Sequence, residues 1–195
     1  MATTLEAAED LMQDGPRLGT LLFIASESIF FALLIAAYVY YTGASPDGPN
    51  AHGVLDPVKT GFYTVCLLSS SFTVWLSERA RRRGSRNGVS AWLGATMLLG
   101  LVFLYGEMQE YSKLLHENVT VSRDLFGSTY YTLTGFHALH VTIGLILLGT
   151  ALSFSLRDRM GKKQRTAMTC ISYYWHFVDA VWVVVFSTIY LWSTR

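Results

Sequence analysis

Residues 127–156 read GSTYYTLTGFHALHVTIGLILLGTALSFSL, an unbroken stretch without one Asp, Glu, Lys or Arg. A bilayer core about 30 Å thick is crossed by roughly 20 apolar residues of helix at 1.5 Å each. This stretch exceeds that length and has room to tilt or to project beyond the membrane. Working outward, four further stretches qualify: 18–41, 58–77, 90–110 and 167–193. The second is the shortest and borrows 58–60 at its start. Each is of helix length, whereas membrane-barrel strands run to about ten alternating residues. Pro16, Pro46, Pro49 and Pro57 all fall outside the apolar runs or at their edge, where helix breakers belong. The expectation is an all-α polytopic protein: residues 18–193 as a bundle of five transmembrane helices, after a 1–17 N-terminal cytoplasmic tail.

Composition agrees. Of 195 residues, 51% are hydrophobic and 15% charged, against about 25% charged in a soluble domain. A formal net charge of +1 argues against nucleic acid as a partner. Cys66 and Cys170 lie far apart in apolar segments, without metal-like or disulfide-like spacing, and read as buried thiols. The first seventeen residues carry Glu6, Glu9, Asp10 and Asp14 and no apolar run, so no cleavable signal peptide is expected.

Lys and Arg set the orientation. Five arginines fall in 79–86, and Arg157, Arg159, Lys162, Lys163 and Arg165 in the last loop; Arg17 joins them on one side. The other side holds Lys59, Lys113, Arg123 and Arg195. The reading is a multi-pass protein of the cell membrane, N-terminus cytoplasmic and C-terminus outside. Tyr38, Tyr40 and Tyr41 at the end of the first span, and Tyr190 and Trp192 at the end of the last, read as interfacial aromatics.

Ionisable groups at membrane depth are costly and each needs a reason. Glu27 lies about 13 Å from the inner surface. His137 and His140 share a helical face, as do His176 and Asp179 on the last helix. Antiparallel packing of those two helices would bring the four groups to one level. Glu107 and Glu110 end the third helix near the outer surface, within expected reach of water. Three readings stay open on residue types alone: histidine ligation of a metal or haem, a proton relay through Glu27, or polar groups hydrogen-bonded across helices. Gly94, Gly100 and Gly106 on the third helix, and Ser69, Ser70 and Ser71 on the second, read as close helix contacts.

The run Gly135-Phe-His-Ala-Leu-His-Val141, followed by Tyr174-Trp-His-Phe-Val-Asp179 and Val181-Trp182, resembles subunit III of the cytochrome c and quinol oxidases. Ser26-Glu27 before Ile29-Phe-Phe31 is similar to that family's carbodiimide-reactive glutamate helix. Leu67-Leu-Ser-Ser70, Leu99-Gly100, Glu110-Tyr111 and Phe126-Gly-Ser-Thr129 extend the resemblance over about 18–193, in the five-helix form. Three positions depart from the pattern. The family usually has glutamine at the place of Glu107, glutamate at that of Thr169, and often asparagine at that of Tyr63. The resemblance implies a subunit of an oxidoreductase complex that carries no catalytic centre, haem or copper itself, the haem–copper centre lying in subunit I. It implies direct contact with subunit I, partnership with subunit II, bound phospholipid, and a role in sustaining proton uptake. Glu27, Glu110, His137, His140, His176, Asp179 and Trp182 are the structural or proton-uptake candidates, with Asp179 expected to receive a histidine. A membrane haem-b carrier, or the homologous subunit associated with nitric-oxide reductase, are the competing readings.

Overall fold

The computed structural model describes residues 2–44, 55–117, 119–121, 125–157 and 161–192. Among them are five α-helices: α1 (Ala2–Ala44), α2 (Pro57–Arg82), α3 (Arg86–His116), α4 (Leu125–Leu156) and α5 (Lys162–Phe186), the last continuing as a π-turn over Ser187–Trp192. There is no strand among the described residues. Helices α2 and α3 pack most extensively; α4 lies on α3, α1 rests on α4 and α5, and α5 packs on α1, α2 and α4 and meets α3 where Trp182 touches Phe103.

Local chemistry sets the helix ends. Asp56 caps α2 by accepting from the backbone N–H groups of Val58 (3.2 Å) and Lys59 (3.1 Å), and Pro57 occupies the first helical position, where its missing N–H costs nothing. Ser85 caps α3 by accepting from Gly88 N at 3.3 Å. Between them Gly84 adopts φ +72°, the left-handed conformation that reverses the chain in three residues. Pro16 departs from expectation. It lies inside α1, not before it, and the segment read as a tail is helical from Ala2. Thr20 Oγ1 donates to the Pro16 carbonyl at 2.8 Å. Pro46 and Pro49 lie outside the described residues.

Among the described residues, four helices are long and apolar enough to cross a membrane: 15–41, 86–116, 125–156 and 163–190. The fifth, α2, is less apolar because its polar residues point inward. Thr60, Thr64, Ser70, Thr73 and Ser77 are buried, while Phe62, Val65, Phe72 and Trp75 are exposed. That inverted arrangement suits a helix whose outer face meets hydrocarbon and whose hydroxyls find partners only inside the bundle. At 26 residues, about 39 Å of helix, it has the length to span.

The centre of the bundle is organised by Trp175. Its ring is held between Gly100 of α3 and Gly144 of α4. A Cβ at Gly100 would come within 2.9 Å of Trp175 Cη2, and one at Gly144 within 2.7 Å of its Cε3. Its Nε1 donates to Ser70 Oγ of α2 at 2.8 Å. One indole thus joins four helices. Gly106 gives room to the Tyr63 ring, whereas Gly94 faces open space.

Two burial expectations are corrected. Tyr38 and Tyr190 do not point outward from the bundle: Tyr38 packs near Phe126, and Tyr190 stacks on Phe186 with its hydroxyl 3.3 Å from that of Tyr130. Both helix ends converge on this aromatic layer, which removes the rings from the surface. Cys66 and Cys170 are free thiols but only half-buried, Cys170 bordering a cavity between α1, α4 and α5.

Candidate functional site: polar groups at membrane depth

The membrane-depth residues do not form one cluster. Helix rotation divides them into three separate arrangements.

The first joins α1 to α4. His140 Nε2 lies 3.2 Å from Glu27 Oε2, and His140 Nδ1 lies 2.7 Å from the carbonyl of Phe136, one turn earlier. A carbonyl only accepts, so Nδ1 carries a hydrogen. The contact between Nε2 and Glu27 therefore holds a single proton between an imidazole nitrogen and a carboxylate oxygen. Phe31 covers the imidazole edge-on at 5.0 Å, and Tyr174 Oη donates to the His140 carbonyl at 3.1 Å. His140 also borders a cavity of about 680 Å³ lined mainly by apolar residues of α1, α4 and α5.

The second joins α2 to α5. Asp179 does not meet a histidine directly; Ser71 stands between. His176 Nδ1 lies 2.9 Å from Ser71 Oγ, and the Ser71 hydroxyl donates to Asp179 Oδ2. The order is imidazole N–H to hydroxyl to carboxylate, a short chain of donors and acceptors pointing one way.

The third is His137, which has no polar partner. It is fully buried, with neither ring nitrogen hydrogen-bonded. Its ring stacks on Trp182 at 4.7 Å and meets Phe103 edge-on at 5.8 Å. The expectation that each of these histidines bonds across helices is thus corrected at this position, where aromatic packing takes the place of hydrogen bonding. Trp182 Nε1 donates to Thr64 Oγ1 of α2 at 3.0 Å.

The carboxyls at the other end of α3 are also corrected. Glu107 and Glu110 are not water-exposed; they are 2% and 7% accessible. Glu110 accepts from the Thr60 hydroxyl and, at 3.4 Å, from the Asp56 backbone N–H, tying α3 to the start of α2. Glu107 keeps one oxygen without a partner. Nearby, Tyr111 Oη and Thr134 Oγ1 are 2.8 Å apart.

What the arrangement does chemically is cross-link helices. Glu27 meets His140, Thr60 meets Glu110, and Ser71 meets both His176 and Asp179, each time across two helices, and no three His, Cys, Asp or Glu side chains gather in metal-binding geometry among the described residues. The residue-level reading missed the α2 hydroxyls as specific partners: Thr60 meets α3, while Thr64, Ser70 and Ser71 all meet α5. Their signal was present in the sequence as a polar stripe on a spanning segment.

Comparison with known proteins follows the same lines. The profile of the family described as cytochrome c oxidase subunit III matches residues 2–194. A cytochrome c oxidase subunit 3 from Synechocystis is 38% identical over 178 residues, covering 89% of this chain and 74% of the relative. One from Corynebacterium diphtheriae is 37% identical over 178 residues, covering 88% and 85%. A cytochrome bo(3) ubiquinol oxidase subunit 3 from Pseudomonas aeruginosa is 32% identical over 173 residues, covering 89% and 83%.

Proposed function

The chain belongs to the cytochrome c oxidase subunit III family, and on that premise we propose that it is the cofactor-free third subunit of a proton-pumping haem–copper oxidase. It is an integral membrane protein and a subunit of an oxidase complex. In the proposal it packs directly on subunit I, with subunit II in the same complex, holds phospholipid, and sustains proton uptake over repeated turnover. The N-terminus and the basic turns face the cytoplasm, and the C-terminus lies outside, by the asymmetry of Arg and Lys.

The observation that carries this reading is how the polar groups are spent. His140 uses both nitrogens on Phe136 and Glu27, and His176 is engaged by Ser71. Side chains so committed serve to fix helix positions, which is what a supporting subunit requires. The exterior supports the contact with another subunit. Among the described residues of α1 only Phe31 and Tyr38 are buried, while Leu18, Leu22, Ile29 and Leu33 are exposed. Relatives include both cytochrome c and ubiquinol oxidase subunits, so the electron donor is a property of other chains.

The test is oxygen consumption over time by the complex with and without this chain, at equal haem content. The stripped complex is expected to begin at nearly the full rate and then lose activity during turnover. Immediate and complete loss, with haems and copper still in place, would show that this chain carries essential chemistry.

A further inference from the structure

The chain from His176 through Ser71 to Asp179 has a direction and one open end. Because the Ser71 hydroxyl donates to Asp179 Oδ2, its oxygen accepts at His176, and Nδ1 carries the hydrogen of that 2.9 Å contact. In the neutral ring the lone pair then lies on Nε2, the opposite nitrogen. His176 lines a cavity of about 670 Å³ at the arginine-rich end of the bundle, between α1, α2 and α5. Nε2 is the nitrogen left to face it. The other end of the chain is closed. Asp179 is 3% accessible, near the middle of the spanning segment 163–190, and its Oδ1 is buried and meets no donor among the described residues. A carboxylate so placed is a costly buried charge, which one arriving proton removes.

The cavity supplies the source of that proton. On the stretch of α2 that runs toward it, Ser77 Oγ, Glu78 Oε1 and Arg81 Nε are buried and hydrogen-bond to nothing among the described residues. Buried polar atoms of this kind are met by ordered water. Ser172 and Tyr173 of α5 carry the polar wall to His176. Imidazole, hydroxyl and carboxylate thus continue a polar route from the cavity to mid-helix. The charged groups around the cavity are Arg17 of α1 and Glu78, Arg79, Arg81 and Arg82 of α2. Elsewhere, Glu27 of α1 is paired with His140 of α4, His137 stacks on Trp182, and Glu107 and Glu110 stand at the far end of α3, Glu110 bonded to the start of α2. Among the described residues, Ser71 is the hydrogen-bond partner of Asp179.

We propose that Asp179 is a proton-holding site inside the membrane, loaded from the arginine-side cavity through His176 and Ser71. A hydronium ion in the cavity gives a proton to Nε2 and leaves as water. Nδ1 passes its hydrogen to Ser71 Oγ while Ser71 passes its own to Asp179 Oδ2. One N–H bond forms and one breaks on the ring, one O–H bond forms and one breaks on Ser71, and the carboxylate becomes a neutral carboxyl. The same transfers in reverse return the proton to cavity water. The route gives the proposed part in sustained proton uptake a place in this chain; it rests on that reading for its purpose and not for its chemistry.

The experiment uses the intact complex, purified in detergent and at rest. Infrared difference spectroscopy follows the C=O band of the neutral Asp179 carboxyl, identified by its loss in Asp179→Asn, after a switch from water to deuterium oxide. In the wild type the band is expected on acidification of the medium, and to shift promptly on deuteration. Ser71→Ala, which interrupts the route, should slow that exchange about a hundredfold, at the lower end of what a positioned proton carrier contributes. Ser71→Thr, which keeps the hydroxyl, should exchange like the wild type. If the alanine variant does not assemble, His176→Gln carries the test, because glutamine still hydrogen-bonds to Ser71 but has no titratable nitrogen; the same slowing is expected. Equal exchange in the wild type and the interrupted variant overturns the proposal and leaves a helix cross-link only. Slowing by Ser71→Thr as large as by Ser71→Ala overturns it by showing an effect of packing. So does the lack of any band assignable to Asp179 across the pH range in which the complex is intact. Exchange is read without turnover, so failure of the relay and failure of the oxidase reading in the oxygen-consumption test are separate results.

Discussion

Gly144→Ala tests the central packing of the bundle and comes with an internal control. The new Cβ would stand 2.7 Å from Trp175 Cε3, 2.8 Å from Cζ3 and 3.4 Å from Tyr174 Cε1. The indole has nowhere to go. On its far side Gly100 is already so close that a Cβ there would meet Cη2 at 2.9 Å, and Nε1 is anchored to Ser70. Moving the ring would break that bond or push α3. Overpacking of this kind costs about 1–3 kcal/mol. Alanine also gains about 1 kcal/mol of helix propensity over glycine, which would mask part of the loss. Gly94→Ala, on α3 with nothing within 4 Å, receives that gain alone, so the difference between the two variants isolates the overlap. By thermal unfolding of the detergent-solubilised protein, Gly144→Ala should melt about 2–12 °C below Gly94→Ala, at about 2–4 °C per kcal/mol for a chain of this size. Trp175→Phe, with a smaller ring, should reduce the penalty of Gly144→Ala in a double-mutant cycle. Equal melting of the two alanine variants, or a penalty unchanged by Trp175→Phe, would refute the picture of an indole gripped between two glycines.

Two further outcomes follow from the polar arrangement. His137→Phe should keep or raise the melting temperature, because it removes two buried nitrogens without partners while keeping a ring against Trp182; His140→Phe, which strands Glu27, should lower it, and the reverse order would count against the assignment. Single cysteines at Val58 and Asn87, both exposed, placed in a chain with Cys66 and Cys170 changed to serine, should label from opposite faces of the membrane, and labelling of both from one face would overturn the five-span topology.

The functional consequence of the fold lies in α2. In a membrane, a helix that turns hydroxyls inward gives its neighbours short, directional attachments where water offers none. Thr60 receives Glu110 of α3, Thr64 receives Trp182 of α5, Ser70 receives Trp175, and Ser71 joins His176 to Asp179. Glu27 of α1 and His140 of α4 complete the set away from α2. Thr64, Ser70 and Ser71 thus fix α5 to α2, Thr60 fixes α3 to α2, and the Glu27–His140 contact fixes α1 to α4.

Much of the architecture was legible in the residues themselves. A membrane removes water from the backbone, so each crossing must be a helix, and its length appears locally as an uncharged run such as 127–156. The motifs around His137, His140 and His176 named the family without any coordinates. The start of α2 could be read from Asp56-Pro57 and the turn into α3 from Gly84-Ser85, because caps and left-handed glycines act over three or four residues. What the sequence could not decide was which side chains meet. Successive helical residues are rotated by about 100°, so one residue of register determines whether a group faces a neighbour or the lipid. In a soluble helix the apolar stripe reveals that rotation, but here core and lipid faces are both apolar and the stripe is faint. Hence Ser71, not Asp179, meets His176; His137 packs among rings while His140, three residues on, reaches Glu27; and Glu107 and Glu110 are buried where the end of a span suggested water. Pro16 was misplaced for a different reason: a proline forbids only one backbone hydrogen bond, and the rest of α1 carries the helix through it. Composition and length determine that the chain crosses the membrane; rotation and depth of each helix, set only by packing against the others, determine what its buried polar groups can do.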